Sequence, residues 1–388
     1  MKQFTVCLAV FFLFSCRPLV TTFGDSESAI YYKASNLVTA EFHDTLKVIT
    51  WNIRFGAARI PWFGDSCGDR VLMTESETIN YMLEISTFID SVKPDILLLQ
   101  EIDVSSKRSD YINQVQWLLD NTDLNYGAYA SMWDAELVPS DGLGKVDVGN
   151  AVLSRWSITN AERIQLPLRT DQDVLTQYFY LRRNILKVKI NLPDSAAVID
   201  KELYAVNIHA TAFATDDTKQ KHISKYKQVL DELIQSGTIF VSGGDLNSIP
   251  TPSPSSSIDF CIEDMCSGES FHIDSDGEPH REGSYFDNFI ANDQYPGELN
   301  LLQPFYDDIT NYFPAIQYQN RNSVEHFTHS PWNTDSESTG FTNVDYWDRK
   351  LDYLFTNYKD WSSTGVTHQE AHQLSDHAPV SATLYFNP

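Results

Sequence analysis

The chain is short of positive charge, of cysteine, and of apolar runs long enough to cross a bilayer. Lys and Arg number 28 against 53 Asp and Glu, a net charge of −25. That balance excludes the basic footprint of a protein that grips nucleic acid through its phosphates. It does not exclude a nuclease, whose groove can be locally positive or neutralised by metal. There are five cysteines, Cys7, Cys16, Cys67, Cys261 and Cys266, and none stands at zinc-ligand spacing. Cys261 and Cys266 bracket CIEDMC and read either as a disulfide in an exported protein or as two thiols. The apolar run FTVCLAVFFLFSC (4–16) is too short for a finished membrane-spanning helix. No internal repeat is visible.

That run follows Lys2, the pattern of a secretory leader. No A-x-A cleavage site follows it. It stops instead at LFSC (13–16), which resembles a lipoprotein signal with Cys16 as the lipidated residue. Ordinary cleavage and an uncleaved anchor are the other readings. The expectation is a leader over 1–16, a polar linker over 17–45 and one catalytic domain over 46–388. The protein is then exported, periplasmic or on the cell surface if bacterial, held to a membrane through Cys16, and monomeric.

What is present is a substantial apolar content, 42%, enough for a large core. LKVITWNI (46–53), ILLLQE (96–101), NAVLSR (150–155), RNILKVKI (183–190), LYAVNIHA (203–210), TIFV (238–241), KLDYLFTN (350–357) and APVSATLYF (378–386) read as strands. Residues 77–92 and 216–237 carry apolar residues at helical spacing. Strands and helices alternate first, then strands dominate, which predicts α/β layers with mixed sheets. Residues 249–347 contain PSPSSS, DSDGEPH and NTDSESTG and read as a long insertion.

Polar residues recur where these strands end. VSGGDLNS puts Asp245 and Asn247 behind two glycines. Asn52 sits in TWNI, Glu101 ends ILLLQE, His209 ends YAVNIH, Asp352 lies in KLDYLF, and Asp376 and His377 precede the last strand. Turn chemistry and capping explain any one of them. Together they are carboxylates, carboxamides and histidines on the flanks of apolar strands, where charge is costly unless paired or metal-bound. Carboxylate and carboxamide oxygens are hard ligands suited to Mg²⁺, and histidines steady charge or move protons. The set suits phosphoester hydrolysis. The aromatics of IPWFG (60–64) either rim a cleft or pack down as a hydrophobic loop. His43, His222, His368 and His372 follow no pattern and read as surface residues.

In order, WNIRFG (51–56), LLLQEID (97–103), GNAVLSR (149–155), NIHA (207–210), GGDLNS (243–248), KLDYLF (350–355) and SDHAPV (375–380) resemble the endonuclease/exonuclease/phosphatase superfamily, with its deoxyribonuclease I-like fold. The resemblance covers about residues 46–386. It implies a four-layer sandwich, two mostly antiparallel or mixed sheets flanked by helices, with the site at one edge. It implies Mg²⁺ or Mn²⁺ held chiefly by Glu101, with Asn52 and Asp376 nearby. Asp245 then orients or deprotonates the attacking water beside Asn247. His209 and His377 face phosphate oxygens, Asp352 pairs with His377, and Arg183 contacts phosphate. One departure is Arg54, where many members carry an acidic or amide residue; it weighs against a second tightly held ion. The implied substrate is a phosphoester of nucleic acid, lipid head group or small molecule. The competing function is an inactive binding or structural lipoprotein that keeps the fold.

Overall fold

The computed structural model describes residues 19–42, 44–64, 69–193, 201–212, 214, 216–250, 301–317, 320, 323–330, 347 and 349–386, with the backbone of 272–273 and 279–280. All five cysteines, His43, the leader through residue 18 and most of the 249–347 stretch lie outside these residues.

In chain order the strands are β1 (Ser26–Ser28), β2 (Ile30–Lys33), β3 (Thr45–Asn52), β4 (Ile96–Asp103), β5 (Tyr126–Val138), β6 (Gly144–Ser154), β7 (Ser157–Gln165) and β8 (Asn184–Asn191). They continue with β9 (Leu203–His209), β10 (Ile239–Asp245), β11 (His272–Ile273), β12 (Pro279–His280), β13 (Phe313–Pro314), β14 (Asp352–Thr356), β15 (Val366–Thr367) and β16 (Val380–Tyr385). The helices are α1 (Glu75–Val92), α2 (Gln114–Asp120), α3 (Val174–Phe179), α4 (Thr218–Gln235) and α5 (Gln303–Asp307). One seven-stranded sheet runs β1-β7-β8-β9-β10-β14-β13, and the other runs β15-β16-β3-β4-β6-β5-β2.

The central strands are apolar on both faces because each face is covered. In β4, Ile96 and Leu98 join Val48, Val152, Val188, Ala205, Val241 and Val380 in the core between the sheets. Leu97 and Leu99 point the other way, toward Met82, Ile85 and Ile89 of α1 and Val115 and Leu118 of α2. The other sheet does the same: Phe240 and Ile208 turn outward onto Ile223, Tyr226 and Leu230 of α4 and Phe305 of α5. Alternation of this kind produces four layers, helix, sheet, sheet and helix. Helix α1 starts with a reciprocal cap, in which the Glu77 N–H donates to Thr74 Oγ1 at 3.2 Å and the Thr74 N–H to Glu77 Oε2 at 2.8 Å. It ends at Lys93, which is left-handed and precedes Pro94.

Strand direction decides where the polar residues gather. α1 links β3 to β4 and α4 links β9 to β10, and both pairs are parallel, as helical crossovers require. Parallel partners finish at the same rim. β14 runs antiparallel to β10, so its first residue, Asp352, lies opposite Asp245. β16 runs antiparallel to β3, so Asp376 and His377, just before it, reach the same rim.

The 17–45 stretch is not a bare linker. β1 pairs with β7 at the edge of one sheet, β2 pairs with β5 at the edge of the other, and Val20 bridges to Ala135. These strands are three and four residues long and mostly exposed, so no apolar alternation announces them. Within the 249–347 stretch, Phe305, Tyr306 and Tyr312 are part of the outer core. The IPWFG aromatics pack down: Trp62 is buried against Phe55, with ring centroids 4.8 Å apart, and the Arg108 guanidinium lies 3.7 Å from the Phe55 centroid. His222 is buried as well, not on the surface.

Candidate active site

Glu101 is aimed by a defect in its strand. The β4–β6 register slips between Leu99 and Ile102, and Glu101 adopts a φ of +54°. A non-glycine residue in that region carries about 1–3 kcal/mol of strain. Gln100 continues the alternation of Ile96 and Leu98 and lies between the sheets, where its amide donates to Asn207 Oδ1 at 2.7 Å and Thr50 Oγ1 at 3.1 Å. Glu101 itself stays partly open to solvent.

Asn52 ties the two sheets together. Its Oδ1 accepts the Arg54 N–H at 3.0 Å, which fixes the amide so that Nδ2 faces the carboxylates. Nδ2 donates to Glu101 Oε1 and to Asp245 Oδ2, each at 3.2 Å. The side chain therefore orients two carboxylates, and its own oxygen is already engaged.

Asp245 is the buried hub. Its Oδ2 lies 3.2 Å from Asn52 Nδ2, 3.3 Å from His209 Nε2 and 3.8 Å from His377 Nε2. Its Oδ1 accepts the Asn247 N–H at 2.9 Å. Burial pushes the Asp245 pKa up, but His377, His209 and the Asn247 N–H outweigh it and hold the carboxyl far below its usual range. The preceding glycines permit this packing. A Cβ on Gly243 would stand 2.1 Å from Tyr353 O, and one on Gly244, whose φ is +140°, 1.8 Å from Ile208 O. Their purpose is close approach of β14 and β9 to β10. Asn247, at φ +46°, donates from Nδ2 to Ala210 O at 3.1 Å.

His377 Nδ1 meets Asp352 Oδ2 at 2.8 Å, which leaves Nε2 facing Asp245. Burial opposes charge on the ring, yet Asp352, Asp245 and the bond to Asp352 raise the His377 pKa well above its ordinary value. Asp352 is clamped by its N–H to Thr328 Oγ1 at 3.0 Å, and its Oδ1 has no partner among the described residues. The His377 carbonyl accepts from Trp51 Nε1 at 2.9 Å, fixing the backbone to β3.

Asp376 stands slightly apart. Arg54 Nε lies 3.3 Å from its Oδ2, and Ser375 Oγ donates to its Oδ1 at 3.2 Å. Burial raises its pKa, but Arg54 and His377 reverse the sign and hold it low. Arg183 precedes β8, whose antiparallel pairing with β9 sets Ile185 against Ile208 and so brings Arg183 to the same rim. Its Nε and Nη1 are buried with no partner among the described residues, and no hydrogen bond or ion pair joins it to the others.

Eight predicted residues thus gather: Asn52, Glu101, His209, Asp245, Asn247, Asp352 and His377 in one bonded chain, and Asp376 beside it through Arg54. An oxygen donor at the mouth with buried carboxylates behind it fits a hard divalent cation, which takes one or two carboxylates and keeps several waters. Three contributors escaped the sequence reading. Asn207 and Gln100 form a buried amide pair between the sheets; Asn207 also donates to Leu99 O at 2.7 Å and Ala151 O at 2.9 Å. The signal for Asn207 was present, since it stands two residues before His209 and so on the same face. The third is His329, whose ring lies edge-on to His377 at 5.2 Å.

A family model described as "Endonuclease/Exonuclease/phosphatase family" matches residues 49–377. Among solved structures, an endonuclease/exonuclease/phosphatase from Beutenbergia cavernae DSM 12333 is 17% identical with a TM-score of 0.50, over 88% of this chain and 71% of that one. A family protein from Leptotrichia buccalis C-1013-b is 14% identical with a TM-score of 0.47, over 87% and 98%. The human Nocturnin catalytic domain with bound sulfate is 14% identical with a TM-score of 0.47, over 92% and 96%. No curated protein sequence matches the chain.

Proposed function

Because the chain belongs to the endonuclease/exonuclease/phosphatase family and carries its deoxyribonuclease I-like fold, we propose that it is a divalent-metal-dependent phosphoesterase that hydrolyses phosphodiester or phosphomonoester bonds. The observation that carries this reading is the Asp245 hub, one buried carboxylate oxygen reached by Asn52, His209 and His377 beside Glu101.

Glu101 would be the chief ligand of Mg²⁺ or Mn²⁺, with Asp376 nearby, and the ion would supply positive charge to the phosphate oxygens. Asn52 keeps Glu101 and Asp245 in register. Asp245, ionised at neutral pH, accepts a proton from a water or orients it, and Asn247 lines the same face. His377 is held protonated by Asp352 and donates from Nε2 to charge that gathers on phosphorus oxygens as water attacks. His209 faces the same oxygens. Arg183, whose Nε and Nη1 have no partner among the described residues, supplies a phosphate contact at the same rim. The leader supports an exported enzyme anchored through Cys16, and Cys16→Ala then releases the protein or leaves its leader uncleaved, which mass spectrometry of the mature N-terminus reads.

The test is turnover of a chromogenic phosphodiester, then of DNA, RNA, sphingomyelin and inositol phosphates, with EDTA and with Mg²⁺ restored. EDTA abolishes turnover and Mg²⁺ restores it. Glu101→Gln needs far more Mg²⁺, since an amide is a poorer hard ligand than a carboxylate. No metal-dependent turnover on the whole panel returns the chain to the role of an inactive lipoprotein.

A further inference from the structure

His329 belongs to none of the strands that build the hub, yet its backbone is clamped against it. The His329 N–H donates to Arg349 O at 3.0 Å, Ser330 N–H to Asp376 O at 2.8 Å, and Ala378 N–H to Thr328 O at 2.7 Å. These bonds lay residues 328–330 between 349 and 376–378. One ligand atom from each of His329, Asp376 and His377 lies within 4.8 Å of the other two. His377 has Nδ1 committed to Asp352 at 2.8 Å, so Nε2 is the atom it offers. A carboxylate behind a ring nitrogen is the usual support of a metal-ligating histidine, fixing its tautomer and orientation.

We propose that His329, Asp376 and His377 form a second metal site, selective for a borderline or soft ion such as Zn²⁺ and distinct from the oxygen pocket at Glu101. Two imidazole nitrogens and one carboxylate, with a fourth position open to water, form a zinc-type ligand set and a poor one for Mg²⁺. Arg54 and Ser375 each bond one oxygen of Asp376, and a carboxylate retains lone pairs for a metal beside them. The positive charge of Arg54 and Arg59 near Asp376 is offset by the buried carboxylates Asp245 and Asp352. Zinc bound here occupies the Nε2 assigned above to the phosphate, so Zn²⁺ inhibits the Mg²⁺-dependent reaction. That inhibition, unlike the binding, rests on the proposed function.

The test is titration of the EDTA-stripped full-length protein with Co²⁺, followed by its visible d–d absorption, and displacement by Zn²⁺. One Co²⁺ per chain gives the intense bands of a low-coordinate nitrogen-containing site, and Zn²⁺ removes them. His329→Gln and His329→Phe each weaken binding by about 10–100-fold, the usual effect of losing a ligand or its support. Glu101→Gln leaves it within about twofold, the scatter allowed between independent sites. Should both His329 variants misfold, ¹⁵N shifts of the His329 and His377 rings in the unmutated protein on adding Zn²⁺ decide the matter. Absence of binding at about 100 µM Zn²⁺, where even a Kd of ~10⁻⁴ M would give half-occupancy, unmoved ring shifts, or loss through Glu101→Gln rather than His329 overturns the site. Zinc that binds as described without inhibiting leaves the site standing and removes His377 from catalysis.

Discussion

At the scale of single residues, the informative feature is that His377 Nδ1 and Asp352 Oδ2 share one hydrogen bond of 2.8 Å, so the proposed function requires the pair to act as a unit. His377→Ala lowers kcat by about two to four powers of ten with little change in KM, the range for a positioned acid or oxyanion donor. Asp352→Asn loses somewhat less, and the double variant is little worse than His377→Ala alone. Additive losses in steady-state kinetics contradict the pairing. His222 supplies a separate test. Its Nε2 donates to Pro167 O at 2.7 Å and its Nδ1 accepts from the Thr211 N–H at 3.1 Å, so the ring is neutral. Burial, with help from Arg183, depresses its pKa to about 3. Between that value and the ordinary pKa near 6.5 the unfolded chain binds a proton that the native chain refuses, so stability falls as pH falls through this window. The contribution amounts to about 2.5 kcal/mol between pH 7 and 4.5. His222→Gln removes that part of the decline, read from urea unfolding at the two pH values. Polar residues at strand ends were legible as a set, because turn chemistry and capping explain any one carboxylate or histidine beside an apolar run but not so many together. His329 was not, since THSPWN lies in a stretch without periodicity, and only the fold carries it to His377.

At the scale of elements, the central strands and two long helices could be read from the sequence, and the edges could not. β4 and β10 are covered on both sides, so their apolar runs announce them; α1 is announced by its periodic apolar face. β1 and β2 are short and mostly exposed, and they pair chiefly through backbone bonds, which any residue can make, with Tyr32 set edge-on to Tyr129. The bulge in β4 is equally silent in ILLLQE, though it decides where Glu101 points. The β9–β10 contact yields a prediction. Gly244→Ala sets a methyl against Ile208 O in a backbone region that disfavours side chains. Separating the two strands costs about 2 kcal/mol or more. It also draws His209 from Asp245, so the denaturant midpoint and kcat fall together. A stable Gly244→Ala protein with normal kcat shows that the strands do not need this approach.

At the scale of the whole molecule, the net charge of −25 sets the sign of long-range forces on any anionic substrate. A polyanion is repelled at low ionic strength, so its kcat/KM rises with added monovalent salt toward about 0.15 M, where charges are screened beyond about 8 Å. A neutral or zwitterionic substrate is indifferent. A fall in kcat/KM for DNA over that range reveals a basic path into the rim that outweighs the total.

The pairing of β3 has a consequence in time as well as space. This strand lies in the interior of its sheet, with β4 on one side and β16 on the other. A ribosome makes it early, between Thr45 and Asn52, and its second neighbour only at Val380–Tyr385. Throughout the intervening synthesis, VITWN offers an open row of backbone donors and acceptors, the template on which chains pair with one another instead of with themselves. The nascent protein therefore depends on being kept from its own copies until nearly all of its length has emerged.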